Sequence, residues 1–521
     1  MRITKAFLIY PPTGMYMRDD RCQAPVEGLS AQPMRTPLDL AYMAGSLESA
    51  GIQCKVKDYP SEKHGWASFR SDLEESNPDM LVISVTTPTL KADMAAAGIA
   101  RRFRADILVV TKGAHNAAKD EEVLDTYKDI DVVIRGESEL AVAEIALAES
   151  LDNVRGISFR KNGRIVRTQP RPFLEDLDNL PKPARHLLNN SLYLTPDTRE
   201  PLTVIYTARG CPYQCVFCAV PLVSGNRIVQ RSPLSIVNEL EECVREYGIR
   251  NFFFRADTFT FHEDWVIEIC RLIVERNLCI RWGTNSRVTT LSDSRLAWMK
   301  RAGCWVIGLG IESGSQKSLD LMKKNADLQD ARTAVTLCRK HGIRAYTLLL
   351  IGFPWDTKET VRETIAFSKA LDGDYLDMNI VYPLPGTELY DIARKRGLLK
   401  ENAVHGFDYS YSSITTERLS TNDLMRLRRL GLLSFYARPR YVLRTLLSVK
   451  SIRELRRYLF AGIALVFRLY GRKGNVVEPD GVGQSRLTGC AVSSRPARTR
   501  LPEPSRRMRL FNKRLSSFCN D

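Results

Sequence analysis

Three of the chain's twelve cysteines fall close together in the segment Thr207-Ala-Arg-Gly-Cys211-Pro-Tyr-Gln-Cys215-Val-Phe-Cys218, and the other nine are scattered singly. Three thiolates at C-x3-C-x2-C spacing on one loop can bind three irons of a cubane cluster and leave the fourth iron open. The alternatives are zinc or three unrelated thiols. Structural zinc sites usually take four ligands with paired C-x2-C spacing, and no nearby His or Cys completes such a set.

The loop needs a rigid element to aim it, and the candidate is the apolar run Thr203 to Thr207 just before it. That run opens a series of strand-like segments, Asn251 to Arg255, Ile280 to Thr284, Trp305 to Ile311, Ala345 to Gly352 and Tyr375 to Val381, separated by helical stretches such as Ser235 to Tyr247 and Asp264 to Arg276. Six strands are two short of a complete eight-stranded barrel, whose chemistry sits at the carboxyl ends of its strands. Residues 6 to 145 alternate in the same way, with strands at Ala6 to Tyr10, Gln53 to Asp58, Met80 to Val85, Ile107 to Thr111 and Val132 to Ile134, and helices at Pro37 to Ala50 and Leu90 to Phe103. This predicts a doubly wound parallel sheet that binds ligands at its strand ends. Between the two series, Asn162-Gly163 marks a hairpin, and Pro181, Pro183 and Pro201 mark a linker.

The fold class expected is α/β. A doubly wound, Rossmann-like domain spans residues 1–150, a hairpin and linker 151–200, a partial (β/α)6 TIM-type barrel 201–400, a helical region 401–470 and a disordered basic tail 471–521.

Of 521 residues, 44% are hydrophobic and 26% charged, as in ordinary globular proteins. The net charge of +16 is confined to one end: residues 421–521 hold 22 Lys and Arg against 6 Asp and Glu, and the preceding 420 residues are neutral. The body therefore carries no basic surplus with which to grip nucleic acid. Scattered cysteines argue against a disulfide framework. The apolar stretch Ala6 to Tyr10 is too short for a secretory leader. The longest apolar run, Tyr458 to Phe467, is about half of the ~20 residues needed to span a bilayer. A cytoplasmic protein is expected.

With the aromatic Phe217 inside it, the cysteine loop resembles the signature of the radical S-adenosylmethionine superfamily, and the resemblance extends over residues 200–395. It implies a [4Fe-4S] cluster on Cys211, Cys215 and Cys218. The open iron would chelate S-adenosyl-L-methionine, which one-electron reduction cleaves to a 5′-deoxyadenosyl radical. The segment Gly308-Leu-Gly310-Ile-Glu312-Ser-Gly314 is similar to the family's fourth-strand motif, with Glu312 facing the cofactor. Arg287 is then a partner for the cofactor's carboxylate, and Gly352 and Pro385 mark strand ends that approach the adenine. An external electron donor such as flavodoxin or ferredoxin is implied.

The first 150 residues resemble a cobalamin-binding domain through Tyr10-Pro-Pro12, Ser84-Val-Thr86-Thr87-Pro-Thr89, Lys112-Gly113-Ala-His115 and Ile134-Arg-Gly136-Glu137-Ser-Glu139. The cobalamin contacts implied are Ser84, Thr86, Thr87, Gly113, His115, Gly136 and Glu137. The D-x-H-x-x-G cobalt ligand of methionine-synthase-type domains is absent, so His115 is expected as a loop hydrogen-bond donor. A doubly wound domain without cobalamin is the alternative.

The two resemblances together imply methyl transfer to an unactivated carbon of a small-molecule or lipid-like substrate. Oxidative or ring-forming chemistry, as in the anaerobic magnesium-protoporphyrin cyclase, is the second reading. An RNA-modifying enzyme of the methylthiotransferase kind is the third; it would need three N-terminal cysteines, and only Cys22 and Cys54 precede the barrel. Between Tyr441 and Tyr470, apolar residues at helical spacing alternate with arginines. Their apolar faces either pack on the barrel or contact the inner face of an anionic membrane, which would make residues 421–521 a peripheral anchor.

Overall fold

The strand Lys5–Tyr10 (β1) sends Phe7 and Ile9 into one apolar layer and Ala6, Leu8 and Tyr10 into the other, because successive side chains of a strand face opposite ways. After Gln53–Asp58 (β2), the strand Met80–Ser84 (β3) does the same, with Leu81 and Ile83 on the first side and Met80 and Val82 on the second. Helices cover both faces of the sheet, and each fully buried large apolar side chain contributes roughly 1.5–3 kcal/mol. In this computed structural model these strands are joined by Leu108–Lys112 (β4) and Val132–Ile134 (β5) in the parallel order β2-β1-β3-β4-β5. That is the flavodoxin-like order, in which the strand sequence reverses between β1 and β3 and opens a ligand crevice there.

The described residues are 2–16, 18, 35–399, 415–448 and 462. All of them lie in one compact unit that ends at Pro479.

The hairpin belongs to the first sheet. Ile157–Lys161 (β6) pairs antiparallel with β5, and Arg164–Arg167 (β7) pairs antiparallel with β6. Asn162 and Gly163 both take positive φ, 51° and 75°, as a two-residue turn requires. The first sheet therefore runs past the expected boundary at residue 150, because the open edge of β5 is completed by the returning chain.

The second sheet starts at Leu202–Tyr206 (β8). A two-residue strand, Ala208–Arg209 (β9), pairs antiparallel with Val229–Gln230 (β10) and pinches the cysteine loop at its base. Then follow Asn251–Arg255 (β11), Arg281–Arg287 (β12), Cys304–Glu312 (β13), Arg344–Ile351 (β14) and Tyr375–Ile380 (β15), parallel in the order β15-β14-β13-β12-β11-β8. The expected six-stranded partial barrel is present. In β14, Ala345, Leu349 and Ile351 pack under the helices, whereas Tyr346, Leu348 and Leu350 on the inner face are half-exposed.

The helix Thr421–Tyr436 closes this layer, burying Leu424, Leu427, Leu432 and Phe435 in the barrel core, and its Tyr436 hydroxyl bonds to the backbone of Leu376 on β15. The helix Pro439–Ser448 follows and leaves Val442, Leu443, Leu446 and Leu447 exposed. Of the two amphipathic segments expected between Tyr441 and Tyr470, only residues up to 448 and Gly462 are described, and the tail from 471 lies outside the described residues. No helix among the described residues is long and apolar enough to cross a membrane.

Candidate functional site

The cysteine loop begins at a glycine that geometry demands. Gly210 has φ 81°, and a Cβ there would run into the carbonyl oxygen of Arg227 on the returning limb. Its N–H donates to Asp257 Oδ2 at 2.6 Å, beyond the end of β11. In the middle of the loop, Val216 N donates to Met322 O (3.1 Å) and Val216 O accepts from Leu389 N (2.8 Å), so two later segments hold the peptide between Cys215 and Cys218. Val216 packs with Leu319, Met322, Phe353 and Leu389, and Phe217 meets the Phe353 ring edge-on at 5.8 Å.

Cys211, Cys215 and Cys218 are half-buried. Among the described residues, no group of three His, Cys, Asp or Glu side chains gathers closely enough to hold a single metal ion. The donor chemistry, three thiols on one short loop, fits an iron-sulfur cluster.

Arg287, at the end of β12, is buried and lies on this loop. Its guanidinium sits 3.5 Å from the centre of the Tyr213 ring, donates to Cys215 Sγ at 3.7 Å, and donates to the backbone oxygens of Lys324 and Asn325. Glu312 ends β13 at a register shift from Gly310, with φ 69°, a backbone conformation that L residues seldom adopt. Its carboxylate accepts from Lys324 Nζ at 2.7 Å in a buried pair. The two strand glycines make room for these groups. A Cβ on Gly310 would come within 2.7 Å of Glu312 Oε1 and 3.1 Å of Lys324 Nζ, and one on Gly308 would overlap Asn285 Oδ1. Gly352 (φ 92°) follows β14 and donates to Asp356 Oδ2 at 2.8 Å; burial pushes the Asp356 carboxyl up despite that bond and the one from Phe353 N. Pro385 is buried beside Gly386, and a Cβ on Gly386 would touch Leu222 of the cysteine loop and Ala118 of the first domain.

Across from this face stand the strand ends of the first sheet. A cavity opens between them. Its first-domain wall includes Asp39, Lys112, Gly113, Gly136, Glu137 and Glu139, and its barrel wall includes Tyr206, Arg209, Val223, Arg255 and Asp257. Gly113 (φ 136°) leaves no room for a Cβ against Val85 O, whereas Gly136 (φ 93°) has no atom within 4 Å of where a Cβ would be. The second glycine thus leaves the backbone bare toward open space, as a close approach to a large ligand requires. Burial pushes Asp39 up, but the charge and hydrogen bond of Lys112 (2.7 Å) outweigh it and hold the carboxylate below its usual range. Burial lowers the Arg255 guanidinium to about 10, offset in part by Asp257.

Of the other expected cobalamin contacts, Ser84, Thr86 and Thr87 are buried at the β1/β3 crevice and do not line this cavity. Ser84 Oγ donates to Asp39 Oδ2 (3.0 Å), and Thr86 N donates to Asp93, which forms a buried ion pair with Arg18 at 2.9 Å. His115 is buried on the helix Ala114–Ala118, which packs against the loop helix Val220–Val223. Sequence reasoning passed over its neighbour Asn116, which is fully buried with both amide atoms unpartnered, a demand for a ligand or water. It also passed over Arg209 and Glu139, although both lie inside segments that carried the resemblances.

Two family models match the chain, the Radical SAM superfamily over residues 205–368 and the B12 binding domain over residues 29–146. A protein of Pyrococcus horikoshii described as an uncharacterized methyltransferase is 31% identical over 85% of this chain and 95% of its own length. The chain belongs to the cobalamin-dependent radical S-adenosylmethionine enzymes. Its cofactors are accordingly a [4Fe-4S] cluster, S-adenosyl-L-methionine and cobalamin. The anaerobic magnesium-protoporphyrin IX monomethyl ester cyclase of Cereibacter sphaeroides is 27% identical over 75% of this chain and 64% of its own length. The fold is shared with the radical S-adenosylmethionine methyltransferase TsrM from Kitasatospora setae, solved with cobalamin and a [4Fe-4S] cluster bound, at a TM-score of 0.62 and 20% identity, covering 77% of this chain and 80% of that one.

Proposed function

We propose that this enzyme methylates an unactivated carbon of a small molecule held between its two strand-end faces. When bound, cobalamin supplies the methyl group, and S-adenosylmethionine on the cluster supplies the radical that makes the carbon reactive. The observation that carries the reading is the cavity walled on one side by the bare glycine backbone at Gly136 and on the other by the residues that lead into the cysteine loop. Cys211, Cys215 and Cys218 hold the cluster. Glu312 and Arg287 fix the carboxyl ends of β13 and β12 beside it, and the domain junction excludes water from the reacting groups. The many charged side chains in the wall favour a polar substrate over a lipid.

The half-buried cysteines leave the loop within reach of an external electron donor of the flavodoxin or ferredoxin class. The exposed leucines of Pro439–Ser448 support peripheral contact with a membrane.

Ring-forming chemistry uses the same cofactors without methyl transfer. Methyl transfer is favoured because the methyltransferase relative aligns over nearly its whole length and the cyclase over 64%. The test is co-product analysis with the anaerobically reconstituted enzyme, a reductant and an extract from a deletion strain as the substrate pool. Methylation requires 5′-deoxyadenosine and S-adenosylhomocysteine in equal amounts, and a product heavier by one trideuteromethyl group when labelled S-adenosylmethionine is used. Release of 5′-deoxyadenosine without S-adenosylhomocysteine would assign the enzyme to the second reading.

A further inference from the structure

Arg209 is the last residue before Gly210 turns the chain into the cysteine loop, yet its guanidinium is committed to the other domain. Nη1 donates to Glu137 Oε1 at 2.9 Å and Nη2 to Glu139 Oε1 at 2.5 Å, just beyond the end of β5. The three side chains are nearly buried, at 12%, 7% and 7% exposure. Glu137 also accepts from Leu174 N of the linker at 2.7 Å, so three segments meet at one point. The second oxygen of Glu139 is buried without a partner, and Glu139 lines the cavity.

Taking three charges out of water costs about as much as their attraction returns, so apolar packing would join the domains equally well. The junction has such packing elsewhere: Tyr42 stacks on Tyr206 at 5.6 Å within an apolar cluster that includes Leu38 and Val204. What the charged cluster adds is direction. Two carboxylates grip the two arms of a planar fork and fix where the loop starts.

We infer that Arg209, gripped by Glu137 and Glu139, is a positioning residue that sets the place of the cysteine loop against the cobalamin-binding strand ends, and with it the separation of cluster and cobalamin. This rests on the proposal that both cofactors face the one cavity. Removing the grip leaves the domains joined through Tyr42 and Tyr206 but lets the loop shift.

The test uses the full-length chain and the variants Arg209→Gln, Glu139→Gln and Arg209→Lys. Iron and cobalamin contents of the unaltered chain come first, since failure to hold both defeats the functional proposal and not this inference alone. With both loaded, the magnetic coupling between the reduced cluster and cob(II)alamin reports their separation. Hydrogen exchange of residues 210–228, measured without cofactors, reports the freedom of the loop. Both Gln variants are expected to speed loop exchange at least tenfold while β11 is unchanged, and to weaken or broaden the coupling; Arg209→Lys restores part of both. Loop exchange and coupling equal to those of the unaltered chain in both Gln variants would overturn the inference. So would loss of cobalamin from Glu139→Gln with loop exchange unchanged, which would make Glu139 a cofactor ligand and nothing more.

Discussion

Arg287 donates an N–H to the sulfur of Cys215 across 3.7 Å, while its guanidinium sits 3.5 Å from the centre of the Tyr213 ring. A donor on a ligating sulfur withdraws charge from a cluster and favours its reduced state. The contact motivates a test of whether Arg287 tunes the cluster, apart from the pairing with the carboxylate of S-adenosylmethionine expected from the sequence.

Replacing Arg287 with Ala should leave about four irons per chain but lower the midpoint potential of the cluster, read by electron paramagnetic resonance during redox titration. Activity should fall about 10- to 100-fold, the usual effect of losing such a partner. An unchanged potential would return Arg287 to cofactor binding alone.

Changing Cys211, Cys215 and Cys218 together to Ala should abolish the broad charge-transfer absorbance and the iron content of the reconstituted protein. Retention of the full absorbance would show that the cluster sits elsewhere.

Cobalamin bound to this chain should carry no protein imidazole on cobalt, because the only histidine among the expected contacts, His115, lies on the helix after Gly113 and outside any D-x-H-x-x-G context. The electron paramagnetic resonance spectrum of the cob(II)alamin form should lack nitrogen superhyperfine splitting, with the cofactor's own base displaced. Splitting that disappears in His115→Ala would overturn this.

Asp79 ties the start of β1 to that of β3. It accepts from Thr4 N and Lys5 N at 2.8 and 3.0 Å and from Arg104 at 2.9 Å. Partial burial pushes its carboxyl up, but the bonds from Thr4, Arg104 and Lys5 prevail and hold it at about 2. The folded value lies below the unfolded one of about 3.9, so this stabilisation is fully present above that pH and is lost as pH falls through about 2. Asp79→Asn should melt at a lower temperature than the unaltered chain at pH 7, and the gap should close below pH 4. A gap that does not depend on pH would mean that the carboxylate's charge contributes nothing.

The full-length chain should cosediment with anionic vesicles at low salt and less at high salt, because each basic residue near such a surface contributes about 1 kcal/mol before screening. The structure dictates where to truncate. Ending the chain after Ser420 would remove Leu424, Leu432 and Phe435 from the barrel core, whereas ending it after Ser448 spares them. The 448-residue form, which keeps the exposed leucines of Pro439–Ser448 but lacks the basic residues beyond them, should pellet less than the full-length chain, and no pelleting of the full-length chain at low salt would remove the membrane proposal.

Both sheets were legible in the sequence because each strand is a short apolar run bounded by turn residues, and the boundaries moved by at most one residue except at the end of β12, which moved by three. β2, β5 and β11 match the expected spans, and β12 runs on to Arg287 because polar Asn285 and Ser286 continue the ladder opposite Gly308 and Leu309. What stayed illegible was partnership across long separations. Nothing near Arg209 in sequence announces Glu137, seventy-two positions away. Nothing local shows that Glu312 will pair with Lys324, or that the charged helix Thr421–Tyr436 carries a core face, with Arg428 itself buried and donating to Met378 O at 2.7 Å. Motifs carried the site because its chemistry is local to one loop, whereas the extension of the first sheet by β6 and β7 depended on which strand the hairpin would meet.

The peptide at Val216 takes its two hydrogen bonds from Met322 and Leu389, which lie after different strands of the barrel. The cysteine loop is therefore not a portable cassette. Grafted onto another barrel with its spacing intact, it would bring the sulfurs but not the two clasps that hold the chain between them. A designer moving this centre would have to carry three separated stretches of chain together.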